Sequence, residues 1–359
     1  MSWEITVPLG GRSYRVLLRD VGLWSALDLP EFRWKRAVLV TDSRVGPLWS
    51  RPVMEWLGGR GTEVREVRVP EGEESKDFRR LPEIYEPFLD FDLGRNGCVV
   101  VLGGGVVGDL GGFAAATYLR GIDLIQIPTS LLAMVDSSVG GKVGVNHGGA
   151  KNMIGAFHQP RLVVISPGFL ATLADPHLAN GLAEAIKTGM IGDPDLFVLL
   201  EEKVEAVWTR DPVVIEEMVA RSISVKSRIV AEDERESGVR MLLNLGHTVG
   251  HAIEGATGFR LRHGEAVAIG LVAACQLSVL LGIAQPSHRD RVERVLSTHR
   301  LPTRVRGLMW ESILPFLKKD KKIRDGDWTF VLTGGVGDAR VLHQVPHTSV
   351  REAVAYVLD

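Results

Sequence analysis

Cys98-Val99-Val100-Val101-Leu102-Gly103-Gly104-Gly105-Val106-Val107-Gly108-Asp109 is the stretch on which the fold turns. Cys98 to Leu102 is apolar without alternation, which suits a strand covered on both faces. Gly103, Gly105 and Gly108 then fit G-x-G-x-x-G, and an Ala-rich helix follows. After a strand and before a helix, such glycines let backbone amides approach a pyrophosphate at the helix N-terminus. A tight turn with no ligand fits the same residues, and the motif alone does not choose between the two. A dinucleotide site also wants a ribose-binding acid about 20 residues further on. Asp123 lies 15 residues after Gly108, inside a strand-like run. Asp42, which ends the run Arg36 to Thr41, is the better candidate.

Outward from this stretch, strand and helix signals alternate. Thr62 to Val69 alternates like a half-exposed strand, Leu81 to Asp92 reads as an amphipathic helix, and Asp123 to Ile127 and Leu162 to Ile165 supply further strands. The expectation is an α/β Rossmann-like N-terminal domain with a mainly parallel sheet, over residues 1–168. From Phe169 helical periodicity dominates: Leu178 to Met190, Asp195 to Val207, Val213 to Ala231, a helix through His247, Ala266 to Leu281 and Arg289 to Ser297. Residues 169–359 are therefore expected to form a mostly α-helical domain. The run Glu232-Asp233-Glu234-Arg235-Glu236 reads as a solvated connection.

Composition removes several functions. Lysine plus arginine is 42 against 44 for aspartate plus glutamate, a net charge of −2, so no nucleic-acid partner is expected. The two cysteines, Cys98 and Cys275, sit in apolar runs and read as buried thiols of a reducing compartment. Met1-Ser2-Trp3-Glu4 has no basic start leading into an apolar segment, and a cytoplasmic location is expected. Ala266 to Ala284 carries no charge over 19 residues, the length of a membrane span. Gln276 and Ser278 interrupt it and small residues fill its first half, so it is expected to be a buried helix and no membrane partner is expected.

Asn244, His247 and His251 stand three and four residues apart, which on one helix would put them on one face. Two neutral imidazoles side by side can hold a divalent metal, and His263 could reach the same ion. The missing carboxylate could be Glu184, three residues before Lys187, although such a pair is also an ordinary exposed helix pair. Asp136 to Asn146, followed by Lys151-Asn152, mixes glycines with lysines and asparagines. It suits anionic oxygens, or else is a surface loop. Lys226, Arg240 and the run Asp320-Lys321-Lys322 read equally as surface charges, Arg240 being the least at ease there.

Taken in order, these motifs resemble 3-dehydroquinate synthase of the shikimate pathway over nearly the whole chain. The most specific parts are Gly103 to Asp109, Tyr118-Leu119-Arg120-Gly121, Val135 to Asn146, Lys151 to Phe157, Ala183-Glu184-Ala185-Ile186-Lys187, Asn244 to Glu254 and Asp320-Lys321-Lys322. The resemblance implies catalytic NAD⁺ and one divalent metal, Zn²⁺ or Co²⁺, in a cleft between the domains. It makes Glu184, His247 and His263 the metal ligands and moves His251 to the phosphate side. It further implies Asp136 near the substrate hydroxyls, Lys142, Asn152 and His251 near the phosphate, Lys187 in the substrate site, and Lys226, Arg240 and Asn244 around the carboxylate. One of Lys321 and Lys322 would reach the phosphate. For NAD⁺ it implies Asp42, Glu71, Gly72, Glu73, Glu74, Ser75, Lys76, the turn Gly103, Gly104, Gly105, Val106, Val107, Gly108 and Asp109, then Thr129, Ser130, Lys142, Lys151, Phe169, Leu170, Ala171 and Thr172. Arg120 is implied to serve the neighbouring subunit of a homodimer.

The implied substrate is a phosphorylated sugar acid, 3-deoxy-arabino-heptulosonate 7-phosphate. The implied reaction is a lyase reaction: transient oxidation at C5, phosphate elimination, re-reduction, ring opening and intramolecular aldol closure. A relative such as 2-deoxy-scyllo-inosose synthase would not need a carboxylate grip, so Arg240 and the run Val135 to Lys142 argue against it. A metal-dependent polyol dehydrogenase would accumulate NADH, and a non-enzymatic nucleotide-binding regulator would be expected to lose metal or anion-site residues.

Overall fold

A computed structural model describes residues 3–20, 24, 29, 32–148, 150–319, 323–324 and 327–359. The chain forms two compact units, Met1–Leu173 and Ala174–Asp359.

The first unit is built on a seven-stranded sheet. In chain order its elements are β1 (Trp3–Val7), β2 (Tyr14–Leu18), β3 (Arg36–Asp42), α1 (Gly46–Gly58), β4 (Glu63–Val69), α2 (Leu81–Asp90), β5 (Cys98–Gly103), α3 (Gly105–Thr117), β6 (Asp123–Pro128), the hairpin β7 (Lys142–His147) and β8 (Ala150–Phe157), and β9 (Leu162–Ile165). The sheet order is β1-β2-β9-β6-β5-β3-β4. All pairs are parallel except β1 with β2.

Every residue of β5 is buried, as its unbroken apolar run requires. Removing one of its valine or leucine side chains from the core would forfeit about 1.5–3 kcal/mol of burial. Strand β4 lies at the edge and exposes Glu63, Arg65 and Arg68, as its pattern of charges predicts. From β3 the chain crosses to β4 in one direction, and from β5 it crosses to β6 in the other. With right-handed crossovers, α1 and α3 then cover opposite faces of the sheet. The point where strand order reverses, between β3 and β5, is where open α/β sheets take ligands, beyond the strands' carboxyl ends. Asp42 ends β3 and Gly103 ends β5, so both stand at that point.

The second unit holds α4 (Asp175–Gly192), α5 (Pro194–Glu202), α6 (Val204–Trp208), α7 (Pro212–Glu232), α8 (His247–Ala256), α9 (His263–Leu280), α10 (Pro286–Thr298), α11 (Trp310–Lys319) and α12 (His347–Tyr356). Two small hairpins join them: β10 (Ile323–Arg324) with β11 (Asp327–Trp328), and β12 (Phe330–Gly335) with β13 (Asp338–Leu342). Helix α9 is the axis. It packs on α4, α8, α10, α12 and β12, which explains why it is apolar all round. Among the described residues it is the one helix long and apolar enough to cross a membrane, yet 72% of it is buried inside the protein.

Two expected helices differ from the observed ones. The run Asp195 to Val207 is broken at Lys203, whose φ of −102° and ψ of 34° serve as cap to both α5 and α6. The helix through Asn244, His247 and His251 is broken too. Asn244 closes a 3₁₀ turn, Val239–Asn244, and α8 begins only at His247. Gly246 between them has φ +77°, a left-handed value that no helix can contain. Asn244 therefore does not share the histidines' face.

Candidate active site

In the second unit, three helices deliver Glu184, His247 and His263 to one point. Glu184 lies in the middle of α4, and His247 and His263 each open a helix, α8 and α9. The approach of α8 to α9 needs glycine: a Cβ on Gly270 would lie 1.9 Å from the carbonyl oxygen of Gly246. The start of α9 is pinned by Gly264, whose N–H donates to Asn180 Oδ1 at 2.5 Å.

Glu184 is fully buried. Its Oε1 lies 3.5 Å from His247 Nε2 and 3.3 Å from His263 Nε2, and it makes no hydrogen bond of good geometry. Oε2 faces the ammonium of Lys187, itself only 2% exposed. One donor atom from each of Glu184, His247 and His263 lies within 4.8 Å of the others.

The far ring nitrogens fix which lone pairs point inward. His247 Nδ1 is 3.2 Å from the Leu245 carbonyl, which can only accept. His263 Nδ1 is 3.5 Å from a carboxylate oxygen of Glu254. His247 is thus held with the proton on Nδ1 and the Nε2 lone pair toward Glu184, and at His263 the Glu254 carboxylate would keep the Nδ1 proton once Nε2 gives up its own, the tautomer a metal ligand needs. Burial and the Lys187 ammonium hold His247 well below the usual imidazole pKa, so it is neutral. Burial would also lower His263, but the Glu184 and Glu254 carboxylates outweigh it and push it up to about 9. Burial would raise Glu184, yet Lys187, His247 and His263 together hold it well below the carboxylate range. An anionic, buried, N/O donor set with its outer nitrogens already engaged fits a divalent ion such as zinc or cobalt.

Around this cluster, His251 lies with its ring centroid 5.1 Å from that of His247 and 5.9 Å from that of His263. Lys226 on α7 and Arg240 in the 3₁₀ turn are buried, against the surface-charge reading. Asn244 Nδ2 donates to Glu236 Oε1 at 2.8 Å. Lys321 and Lys322 lie outside the described residues.

The first unit gathers another set. Gly104 is extended (φ −76°, ψ −172°) and Gly105 opens α3, with no acid in its first turn to compete for the free N–H groups. Asp42 Oδ1 accepts from the N–H groups of Arg44 (2.9 Å) and Val45 (2.7 Å). Thr129 N–H donates to the Gly103 carbonyl at 2.9 Å, and Ser130 Oγ accepts from Ala133 N–H at 3.3 Å. The segment from Glu71 to Lys76 is tied to the hairpin. Lys76 Nζ donates to Asp109 Oδ2 and Asn152 Oδ1, each at 2.5 Å, and Asn146 Nδ2 donates to Glu73 Oε1 at 2.8 Å. Lys142 opens β7 and Lys151 lies in β8, while Asp136 sits in the turn Ala133–Ser137. Phe169 and Leu170 are core residues: the Phe169 ring meets Trp24 and Trp49 edge-on at 5.5 and 5.0 Å. Any part they play toward a ligand falls to their backbone. Arg120 is exposed and follows Leu119 in a left-handed turn (φ 69° and 50°).

Two residues of the second unit escaped the sequence reading. Glu254, 2% exposed, orients His263; its spacing of seven and three residues from His247 and His251 was the available signal. Asp233 is 8% exposed rather than solvated and accepts hydrogen bonds from Ser237, Gly238 and Arg240. Nothing in a run of charges marks one member as buried.

Known proteins match the chain through both units. The model of the 3-dehydroquinate synthase N-terminal region matches residues 66–180, and that of the C-terminal region matches 181–323. The 3-dehydroquinate synthase of Halorhodospira halophila (strain DSM 244 / SL1) is 46% identical over 336 residues, 93% of this chain and 94% of that protein. That of Geotalea uraniireducens (strain Rf4) is 43% identical over 336 residues, covering 93% of each. Among solved structures, ValA, a 2-epi-5-epi-valiolone synthase from Streptomyces hygroscopicus subsp. jinggangensis 5008 with NAD⁺ and Zn²⁺ bound, superposes with a TM-score of 0.88 at 30% identity over 96% of each chain. With both halves of the family model matched in order and relatives similar over nine-tenths of their length, the chain belongs to the 3-dehydroquinate synthase family.

Proposed function

We propose that this chain is a 3-dehydroquinate synthase, converting 3-deoxy-arabino-heptulosonate 7-phosphate to 3-dehydroquinate and inorganic phosphate with no net redox change. The observation that carries the proposal is the buried Glu184 carboxylate facing His247 Nε2, His263 Nε2 and the Lys187 ammonium, in a chain of this family. Bound NAD⁺ would supply a reversible hydride acceptor for C5 of the substrate, and a bound divalent ion would supply a Lewis acid for the hydroxyl there.

The chain's own residues do the rest. Glu184, His247 and His263 hold the ion. Lys187, buried beside them, is placed to donate to a substrate oxygen. Arg240 grips the substrate carboxylate as a planar fork, supported by Lys226 and Asn244. Lys142, Asn152 and His251 hold the phosphate that leaves, with one of Lys321 and Lys322, and Asp136 orients the hydroxyls. NAD⁺ is held by Asp42, the segment Glu71 to Lys76, the turn Gly103 to Asp109, Thr129, Ser130, Lys151 and the backbone of Phe169 to Thr172. In this reading the first unit is the NAD-binding domain and the second binds metal and substrate. The class is a phosphorus–oxygen lyase of the cytoplasm, acting as a homodimer.

The test is turnover of the heptulosonate phosphate to dehydroquinate by the wild-type chain and by His247→Ala. The variant is expected to lose bound metal and activity while melting as a folded protein. Full metal occupancy in it would remove His247 from the ligand set.

A further inference from the structure

We propose that Asp233 is a positioning residue for substrate recognition: its carboxylate shapes the loop from 234 to 240 so that Arg240 is presented to a carboxylate-bearing substrate. This rests on the function proposed above for Arg240.

Helix α7 ends at Glu232, and Asp233 caps it with extended backbone (φ −143°, ψ 82°). The chain must then turn back over a run that holds Glu234 and Glu236, with Glu236 in the left-handed region at φ 59°. Like charges and a strained residue oppose such a loop. One side chain closes it. Asp233 Oδ1 accepts from Ser237 N–H (2.9 Å) and Ser237 Oγ–H (3.1 Å), and Oδ2 accepts from Gly238 N–H (2.6 Å) and Arg240 N–H (3.1 Å). Three backbone N–H groups that would face no helix or strand partner are satisfied by one anion, and charge-assisted bonds of this kind are the strong ones.

The loop in turn fixes both ends of Arg240. The backbone N–H is held by Asp233, and Nη1 donates to the Glu234 carbonyl of the same loop. Asn244, on the next turn, is tied to it through Glu236. Arg240 is 2% exposed, so its guanidinium cannot choose another direction without the loop moving. Asparagine has the shape of aspartate but only one accepting oxygen. In Asp233→Asn an NH₂ group would face two N–H donors, and half the loop would lose its partner.

Three readouts test this on the full-length chain loaded with metal and NAD⁺. In Asp233→Asn the peptide spanning 234–241 should exchange its amide hydrogens about tenfold faster, with α4 and α9 unchanged. KM for the heptulosonate phosphate should rise about tenfold or more, with kcat changed less than about threefold, as for loss of uniform binding. Inhibition by an analogue with a hydroxymethyl group in place of the carboxylate should be unchanged. Unchanged exchange, an unchanged KM, or an inhibition constant that rises in step with KM would each overturn the proposal. Should Asp233→Asn not fold, Asp233→Glu keeps the charge on a longer arm and should give smaller changes of the same sign; no change in either quantity there overturns it equally. If the wild-type chain releases no phosphate from the heptulosonate phosphate, the proposed function fails, whereas the exchange measurement still decides whether Asp233 holds the loop.

Discussion

His263 is pulled in two directions. Burial favours the neutral ring, and the Glu184 and Glu254 carboxylates favour the imidazolium strongly enough to push its pKa up to about 9 in the metal-free protein. A pKa raised above the ordinary imidazole value gives stability that is fully present below about pH 6.5 and is lost as pH rises through about 9. A metal needs the neutral ring, so it must displace that proton. The expected outcome is opposite trends: between pH 6.5 and 9 the metal-free protein loses stability, while metal affinity rises about tenfold per pH unit. Chelator-competition titrations read the second trend, and a flat affinity over that range would contradict it. Arg240 makes a separate prediction at this scale. Arg240→Lys keeps the charge but loses the fork, and breaking a buried bidentate pair costs about 2–5 kcal/mol. In kcat/KM that is a loss of about thirtyfold or more. Unchanged kinetics would take the carboxylate grip away from Arg240. Spacing in the sequence showed the two imidazoles of α8 but grouped them with Asn244; it offered Glu184 and His263 only as candidates, and the resemblance chose them over His251, because those partners lie on other helices, out of reach of any local pattern.

At the level of elements, the second unit depends on helices that come close enough for their side chains to meet. A Cβ at Gly270 would sit 1.9 Å from a backbone oxygen that cannot move aside, so Gly270→Ala should force α9 away from α8. Overpacking of this kind costs about 1–3 kcal/mol, and more when the obstacle is backbone. Because α8 carries His247 and α9 carries His263, the variant should lose metal affinity along with thermal stability. A variant that melts lower but binds metal as before would show that the helix spacing does not set the site. The long elements were legible: β5 from its unbroken apolar run, α4, α7 and α10 from their period, α9 as a buried helix despite its membrane length. The breaks were less so. Gly246 is visible as a glycine, but neither its left-handed conformation nor the α9 backbone that a Cβ there would meet is written in the local sequence. Lys203 between α5 and α6 carries no turn residue at all. The loop after α7 read as solvent because a buried aspartate and an exposed one are the same letter until the N–H groups around it are known.

For the molecule as a whole, the α/β unit and the helical unit were legible as alternating strands and helices giving way to a 3.6-residue period near Phe169, whereas the sheet order, with β9 between β2 and β6, has no local signal. Arg120 raises the question of assembly. It stands exposed on a left-handed turn after α3, a costly conformation for a residue with no packing role. If the protein is a symmetric dimer and Arg120 serves the partner's site, two inactive proteins should rescue one another. Equal mixtures of Arg120→Ala and His247→Ala make about half the dimers mixed, each with one site carrying both defects and one carrying neither, so roughly a quarter of wild-type activity should return. Mixed dimers that form without activity would place Arg120 in its own subunit's chemistry or in none. The central claim is a reaction that uses NAD⁺ and a metal yet leaves the cofactor unchanged. It is tested most directly by following phosphate release from 3-deoxy-arabino-heptulosonate 7-phosphate while the NADH absorbance is recorded, with and without chelator. The expected result is many equivalents of phosphate per enzyme, dependent on metal, with no accumulating NADH. Steady NADH production, or phosphate release that survives complete removal of metal, would contradict it.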